Sequence, residues 1–594
     1  MKSLLVGLVA VCQCLVICAE YEYVITSYGR LRGQVKKVLG KDLAVFSGVR
    51  FAKPPVGKLR FRPPQEPESW TGTADALSLS RACMQPPDTM YPGFWGAEMW
   101  NPNTPQDEDC LFLNIWAPRD IQNATVMVWF FGGGFYYGSP SLSVYNAEGL
   151  AMEGNVIVVN PNYRVGAFGF LYLGNDQVPG NVGLLDQQLA LKWIQKNIHA
   201  FGGNPNKVSL FGESAGAASV VAHMISPESQ NMFRYGILQS GSLQNPWAMD
   251  TPSRALNKSM TMVKQLGCPT AYQSEMIDCL QGVPAAEFAN KLWSFYDSLY
   301  FMEFPLVIVS RDKNFFYEMD AFEAIRKKKF KVTNLIIGIM ADEGTFWLVY
   351  YLSKYFQTKE KTLPKLTKSE FIDAIQHVLD RENDVFRKAA AFQYSYEQRN
   401  CSYLGSQPSE YFANAVNQLV GDYEFTCDSL YIGESVLEQE GRVWLYFFNY
   451  FISSNPWPEW MGAMHGYEVE FVFGIPLVNL THNAGTGRYT DEEKRMTKQI
   501  VRLWSNFAKN GTPSVESPLH WPPMTKDRKP YLQITSGKWE VIYDIKKKNC
   551  DFWNDVKSLQ HQISNGNTES SFSVHICVKT FAAVSSIVLM QLLY

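Results

Sequence analysis

Short apolar runs that end in glycine, followed by stretches of helical period, organise the first half of this chain. Between Tyr23 and Phe51 apolar and polar residues alternate around glycine turns, a pattern that predicts strand hairpins. A proline-rich connection runs on through Pro64. Continuous apolar runs then appear at 109–116 (DCLFLNIW), 125–131 (TVMVWFF) and 155–160. Runs this short, bounded by turn residues, predict buried strands. The second empties directly into Gly132-Gly133-Gly134. Residues 184–198 place apolar side chains at helical spacing and predict an amphipathic helix, which leads into a turn at Phe201-Gly202-Gly203-Asn204-Pro205. The second half reads as more helical and irregular, with strands expected at 334–340 and near 443–448. Alternating strands and helices predict the α/β class, a large and mostly parallel central sheet covered on both faces. No internal repeat or long low-complexity linker interrupts the chain between its two ends, so one large domain over residues 20–560 is expected.

The stretch VSLFGESAGAASV (208–220) is the centre of that pattern. Alternation at Val208 and Leu210 reads as a strand, and the small residues after Gly216 suit a tightly packed helix start. Gly212-Glu213-Ser214-Ala215-Gly216 between them has the form of a nucleophile elbow, the strand-to-helix turn of α/β-hydrolases. Glycines on both sides permit a turn too sharp for a Cβ and hold the serine hydroxyl above the sheet.

Composition narrows the class. The 594 residues are 46% hydrophobic and 19% charged with a formal net charge of −3, which fits neither disorder nor nucleic-acid binding. Aromatics reach 14%, so no single Trp or Tyr marks a site on its own. Lys2, an apolar run from Leu4 to Cys18 and Ala19 form a signal peptide over residues 1–19. A last apolar run, 581–594, would span only ~21 Å as a helix against the ~30 Å hydrocarbon core. With the small polar stretch Ser564-Asn565-Gly566-Asn567 upstream, residues 561–594 have the layout of a GPI-attachment signal. The chain is thus expected outside the cell, held to its membrane by lipid.

Seven cysteines remain once Cys12, Cys14, Cys18 and Cys577 are assigned to the leader and tail, and three bridges with one spare is the simplest account. Their spacing matches no metal motif, and no metal or cofactor is expected. Asn123, Asn257, Asn400, Asn479 and Asn510 are glycosylation acceptors by sequence, although Pro513 disfavours the last.

A serine nucleophile needs a base, an acid that orients the base, and donors for an oxyanion. In this fold the order is serine, acid, histidine. His199 and His223 precede any acid, His377 has an ordinary helical setting, and His561 and His575 fall in the spacer and tail. His465, in the glycine-bracketed loop Met461-Gly462-Ala463-Met464-His465-Gly466, is the candidate base, with His482 and His520 as competitors. The acid belongs on a loop after a strand, and Asp342 and Glu343 both follow the run 335–340. The Gly132-Gly133-Gly134 amides and that of Ala215 are the candidate oxyanion donors.

These residues resemble a known family. EDCLFLNIW (108–116) and FGGNPNKVSLFGESAG (201–216) are similar to the two signatures of type-B carboxylesterases, and EMWNPN (98–103), GGGFYYG (132–138) and WPEWMGAMHGYE (457–468) resemble the acetylcholinesterase branch of that family. The resemblance implies Ser214 as nucleophile, His465 as base, Glu343 as acid, and Gly133, Gly134 and Ala215 as the oxyanion hole. It implies the bridges Cys83–Cys110, Cys268–Cys279 and Cys427–Cys550, leaving Cys401 unpaired. It further implies a choline-facing Trp100 with Phe346, Glu213 and Tyr145 around it, and a gorge lined by Tyr136, Tyr350, Trp457 and Asp88. A quaternary ammonium donates no hydrogen bond and is best held over aromatic faces.

The match has departures. Pro86-Pro87 stand where the family has a gorge-mouth tyrosine, and Trp347 replaces a phenylalanine. The segment 293–304 aligns poorly. Phe301 and Phe304, with Tyr300 in reserve, are the candidates to form an acyl pocket with Trp247, and Trp293 stands for a peripheral-site tryptophan. The activity implied is hydrolysis of acetylcholine through an acyl-serine. The rivals are a butyryl-preferring or broader carboxylesterase and a neuroligin-type adhesion protein, relatives that typically lack a complete triad. Pairing into a homodimer through a four-helix contact is implied by resemblance alone.

Overall fold

The computed structural model describes residues 20–294, 299–401, 408–478, 489–514 and 520–564. The leader, the tail from 565, Asn479 and His482 lie outside them, as do the side chains of Asn400, Cys401 and His561. The chain divides into two units, residues 1–546 and 547–594. In the second, the described structure is one helix, Lys547–Ser564. No helix among the described residues is long and apolar enough to cross a membrane.

A thirteen-stranded sheet runs through the first unit. Its main strands are β1 (Tyr21–Ile25), β2 (Arg30–Val38), β3 (Lys41–Arg50), β4 (Phe112–Pro118), β5 (Ala124–Phe130), β6 (Ile157–Pro161), β7 (Gly203–Glu213), β8 (Tyr235–Gln239), β9 (Leu335–Met340), β10 (Val443–Phe448), β11 (Pro530–Ile534) and β12 (Glu540–Tyr543). They lie in the order β1-β2-β3-β4-β6-β5-β7-β8-β9-β10-β11-β12. From β6 to β11 every pairing is parallel. The N-terminal edge from β1 to β6 is antiparallel, as is the last pair. The expectation of a mostly parallel sheet therefore holds for the centre, and the sheet as a whole is mixed. Short turns between β1, β2 and β3 return each strand beside its predecessor, which enforces antiparallel pairing.

Burial explains the continuous apolar runs. Every residue of β5 and of β9 is buried, as strands covered on both faces require. The helix predicted over 184–198 is α1 (Val182–Asn197). The turn expected at 201–205 is instead partly strand, because Gly203 pairs with Ala124 before the register shifts towards Val208. Cys83–Cys110 and Cys268–Cys279 are bridged, and Cys427 and Cys550 are each disulfide-bonded.

Candidate active site

At the carboxyl end of β7 the chain turns sharply into α2 (Ala215–Ile225). Strand β7 is pinned on both sides, with Gly212 opposite Phe130 of β5 and Glu213 opposite Gln239 of β8. Ser214 sits at the corner with φ 55° and ψ −121°, a region that costs a non-glycine residue roughly 1–3 kcal/mol. The surroundings over-determine it. Its N–H donates to the Gln239 carbonyl at 2.8 Å, and its carbonyl accepts from Ala218 at 3.0 Å. A Cβ on Gly216 would stand 1.9 Å from the Phe130 carbonyl oxygen, so only glycine lets helix and strand approach this closely.

Beyond β5 the backbone reverses at Gly133 and Gly134, with φ of 106° and 55°. The Gly133 carbonyl accepts from the N–H groups of Tyr136 and Tyr137, which fixes the loop. A Cβ on Gly133 would meet the Tyr137 carbonyl oxygen at 2.3 Å. Ala215 is the first residue of α2 and therefore stands at the positive end of its dipole.

Asp342 and Glu343 occupy different surroundings. Strand β9 ends at Met340, and the helix that follows, Glu343–Tyr351, starts on Glu343. Glu343 takes an N–H from Met340 on one oxygen at 2.9 Å and lies 2.7 Å from Nδ1 of His465 with the other. Asp342 does different work. It accepts from the Ala463 N–H at 3.0 Å and from Asn417 at 2.9 Å, while its own N–H donates to the Ala463 carbonyl. Two neighbouring carboxylates thus divide the task, one on the imidazole and one on the loop that carries it.

An ionised carboxylate only accepts, so Nδ1 carries the proton towards Glu343 and leaves Nε2 as the exchangeable position. Nε2 lies 3.0 Å from Oε1 of Glu213 yet has no hydrogen-bond partner among the described residues. Ser214 and His465 line one chamber without being hydrogen-bonded to each other. Such contacts often close only when substrate is bound. Burial disfavours the imidazolium, but Glu213 and Glu343 outweigh it and hold the imidazole above its ordinary pKa. Behind them Glu468 is pushed up to about 8, first by burial and then by the charges of Glu213 and Glu343. It accepts from Gln239 and Tyr446.

The chamber above Ser214 is small, about 30 Å³, and its walls include Trp100, Gly133, Tyr137, Tyr145, Glu213 and Phe346. Trp100, Tyr137, Phe346 and Trp347 also line a larger cavity of about 530 Å³, which continues past Tyr136, Trp293, Tyr350 and Asp88. The Tyr350 hydroxyl donates to Asp88 at 2.6 Å. Most of the residues read as choline site and gorge therefore meet along one aromatic passage.

Trp457 of the gorge set and the acyl-pocket candidates Trp247, Phe301 and Phe304 do not lie on these walls. Trp457 is buried behind Phe346, its Nε1 donating to the Tyr467 hydroxyl at 2.6 Å, so it supports the wall. Trp247 is buried with its indole N–H on the Glu424 carbonyl. Phe301 packs on Tyr351, away from the chamber. Phe304 lies against Gly134 from behind, between Tyr136 and Trp347.

Other residues escaped the sequence reading. Tyr137 faces both cavities, and its neighbour in the GGGFYYG run was the available signal. Phe425 packs its ring 4.4 Å from that of His465, from within a π-helical turn, Asp422–Thr426. Nothing in its local pattern marked it, because a π-turn inserts one residue into an otherwise helical period. Among the described histidines, His223 is buried on Ser229 and Gln187, and His199, His377 and His520 are exposed. No group of three His, Cys, Asp or Glu among the described residues is placed to hold a metal. The described acceptors Asn123, Asn257 and Asn510 are exposed.

Comparison with known proteins gives a consistent picture. The carboxylesterase family profile matches residues 20–553. Acetylcholinesterase 4 of Caenorhabditis briggsae is 44% identical over 570 residues, covering 93% of this chain and 92% of that protein. A cholinesterase of Mus musculus is 39% identical, covering 90% and 87%. An acetylcholinesterase of Bungarus fasciatus is also 39% identical, covering 89% and 85%.

Proposed function

The chain belongs to the carboxylesterase family and is a serine carboxylic ester hydrolase, and from that premise we propose that it hydrolyses acetylcholine to choline and acetate through an acyl-enzyme on Ser214. Cholinesterase relatives on this scale of identity support choline esters as the substrate class. One observation carries the finer reading. The Glu343–His465 pair, at 2.7 Å, and Ser214 share a chamber whose wall continues through Trp100 and Phe346 into an aromatic passage.

In this mechanism Ser214 Oγ attacks the ester carbonyl while Nε2 of His465 takes its proton. The amides of Gly133, Gly134 and Ala215 hold the oxyanion, each donor contributing on the order of 3 kcal/mol. The imidazolium, held by Glu343, returns the proton to the departing choline oxygen. Water then repeats the path and releases acetate. The onium head rests over Trp100 near Glu213, a cation–π contact worth about 2 kcal/mol when desolvated. Its positive charge competes with the imidazolium for Glu213. Substrate binding thereby lowers the proton affinity of the base at the moment when a neutral base is required.

Disulfides at Cys83–Cys110 and Cys268–Cys279 and the exposed acceptors Asn123, Asn257 and Asn510 support an exported protein. Lipid anchoring at the outer membrane face, action at cholinergic contacts and pairing of two chains extend this proposal. Phosphatidylinositol-specific phospholipase tests the anchor by releasing activity from cell membranes, and activity that stays bound argues against it. The substrate assignment is tested by kcat/KM for acetylthiocholine, butyrylthiocholine and a choline-free ester on the purified chain. A preference for acetylthiocholine is expected. Equal turnover of all three esters contradicts the reading.

A further inference from the structure

One buried ammonium stands behind both members of the Glu343–His465 pair. Lys546 lies in the turn after β12, and its side chain is only 9% exposed. Its Nζ is 2.8 Å from Oδ1 of Asp422, a side chain with no exposure at all, and donates to Oε1 of Gln418 at 2.6 Å. Asp422 also accepts from the Tyr394 hydroxyl at 3.1 Å. Buried charges are tolerated when they are paired and hydrogen-bonded. Without the ammonium, the backbone around Asp422 has to shift to accommodate the charge left behind.

Two routes lead from this group to the pair. In the first, Gln418 passes the contact on, its Nε2 donating at 3.1 Å to the carbonyl of Ala341, in the turn between Met340 and Glu343. Gln418 sits on the helix Pro408–Gly421, which is packed tightly against that turn. A Cβ on Gly344 would stand 2.4 Å from the Asn417 carbonyl oxygen, and one on Gly421 would stand 3.1 Å from the Cβ of Glu343. In the second, Asp422 opens the π-helical turn Asp422–Thr426, which seats the Phe425 ring 4.4 Å from that of His465. Trp347, with its ring 5.5 Å away, packs on the imidazole as well. The ionisable groups around it are Glu213 at Nε2, Glu343 at Nδ1 and Glu468 behind them. A shift of Ala341 or of Phe425 therefore acts directly on the Glu343–His465 contact.

We infer that Lys546 is a positioning residue for the Glu343–His465 pair, fixing the turn of Glu343 through Gln418 and the seat of His465 through Asp422 and Phe425. The inference deepens the proposed function and rests on its reading of His465 as the base. The test uses the full chain, as parent, K546M, K546R and Q418L. One readout is the NMR titration of the His465 imidazole in histidine-labelled protein, assigned by its absence in H465A. The other is kcat and KM for p-nitrophenyl acetate. In K546M a displaced Glu343 supports the imidazolium less well, so the His465 pKa is expected to fall by about 0.5 pH unit. There kcat is expected to fall about tenfold while KM stays within about twofold. K546R keeps the charge and is expected to return the titration to within about 0.2 pH unit of the parent. A merely structural role would lower stability and leave the titration unmoved. If K546M does not fold, Q418L cuts the route to Ala341 without stranding a charge, with an expected fall of about 0.3 pH unit and about threefold in kcat. A His465 titration within about 0.1 pH unit of the parent, in folded K546M or in Q418L standing in for it, overturns the inference. A titration that falls while kcat holds supports the positioning role and counts instead against His465 as the base.

Discussion

Nε2 of His465 stands 3.0 Å from Oε1 of Glu213, while Nδ1 of the same ring is 2.7 Å from Oε2 of Glu343. The imidazole is held between two buried carboxylates. In the proposed mechanism Glu343 orients the base, and Glu213 competes with Ser214 for the nitrogen that receives its proton.

This relationship sets the pH dependence. A base whose pKa is raised is neutral, and so active, only towards higher pH, and kcat/KM must rise along its acid limb. Glu213→Gln removes one of the two charges that support the imidazolium. Its acid limb is expected to move down by about one pH unit or more for a neutral ester. For acetylthiocholine, KM also rises because the onium loses its counter-charge. An unmoved limb in pH-rate profiles of the variant contradicts the assignment.

The two acids 342 and 343 predict different losses. Glu343→Gln keeps the shape but loses the charge that favours the imidazolium, and kcat is expected to fall by a factor on the order of 10³ to 10⁴. Asp342→Asn leaves the Glu343–His465 contact in place and weakens the tie to the Ala463 N–H, for an expected loss of about tenfold. Steady-state kinetics on the two variants measure this, and equal losses contradict the division of labour.

Trp100 separates charge recognition from hydrophobic fit. Trp100→Ala is expected to raise KM for acetylthiocholine by about 30-fold, the equivalent of ~2 kcal/mol. A neutral ester of the same shape, 3,3-dimethylbutyl acetate, should lose far less. Equal losses would mean that the indole acts by packing alone.

Glu468 makes a prediction about stability. Its folded pKa, about 8, lies above the ordinary carboxyl value, so between those two the folded protein binds more protons than the unfolded chain. Stability from this group is therefore present at low pH and lost as pH rises through that window, at no more than about 1.4 kcal/mol per pH unit. Glu468→Gln should flatten the slope. Urea unfolding of parent and variant at several pH values between 5 and 8 decides it, and parallel curves contradict it.

The elbow was legible because its information is local. Alternation before Gly212, small residues after Gly216 and glycine at the crossing with Phe130 all follow from the packing of one strand on one helix. Elimination by the chain order expected of this fold made His465 the candidate base but left His482 and His520 beside it, and the family resemblance singled it out. Residues joined over long distances were harder to place. Phe425 reaches the imidazole only because the helix carrying it widens into a π-turn, whose carbonyls at Glu424 and Phe425 are taken up by Trp247 and Asn245. Trp457 sits in a conspicuous motif, yet its indole N–H is spent on Tyr467, which turns it away from the passage. The antiparallel edge was visible as hairpins, but the way β4 joins it to the parallel centre depends on partners that no local pattern names.

Ser214 as a nucleophile activated by His465 is the claim beneath all of these. Peptide mass spectrometry after treatment with diisopropyl fluorophosphate tests it most directly. The account predicts one phosphoryl adduct per chain, on Ser214, formed in step with loss of activity and at least about 100-fold more slowly in His465→Ala. An adduct on another residue as activity disappears, or full-rate labelling of Ser214 in His465→Ala, contradicts it.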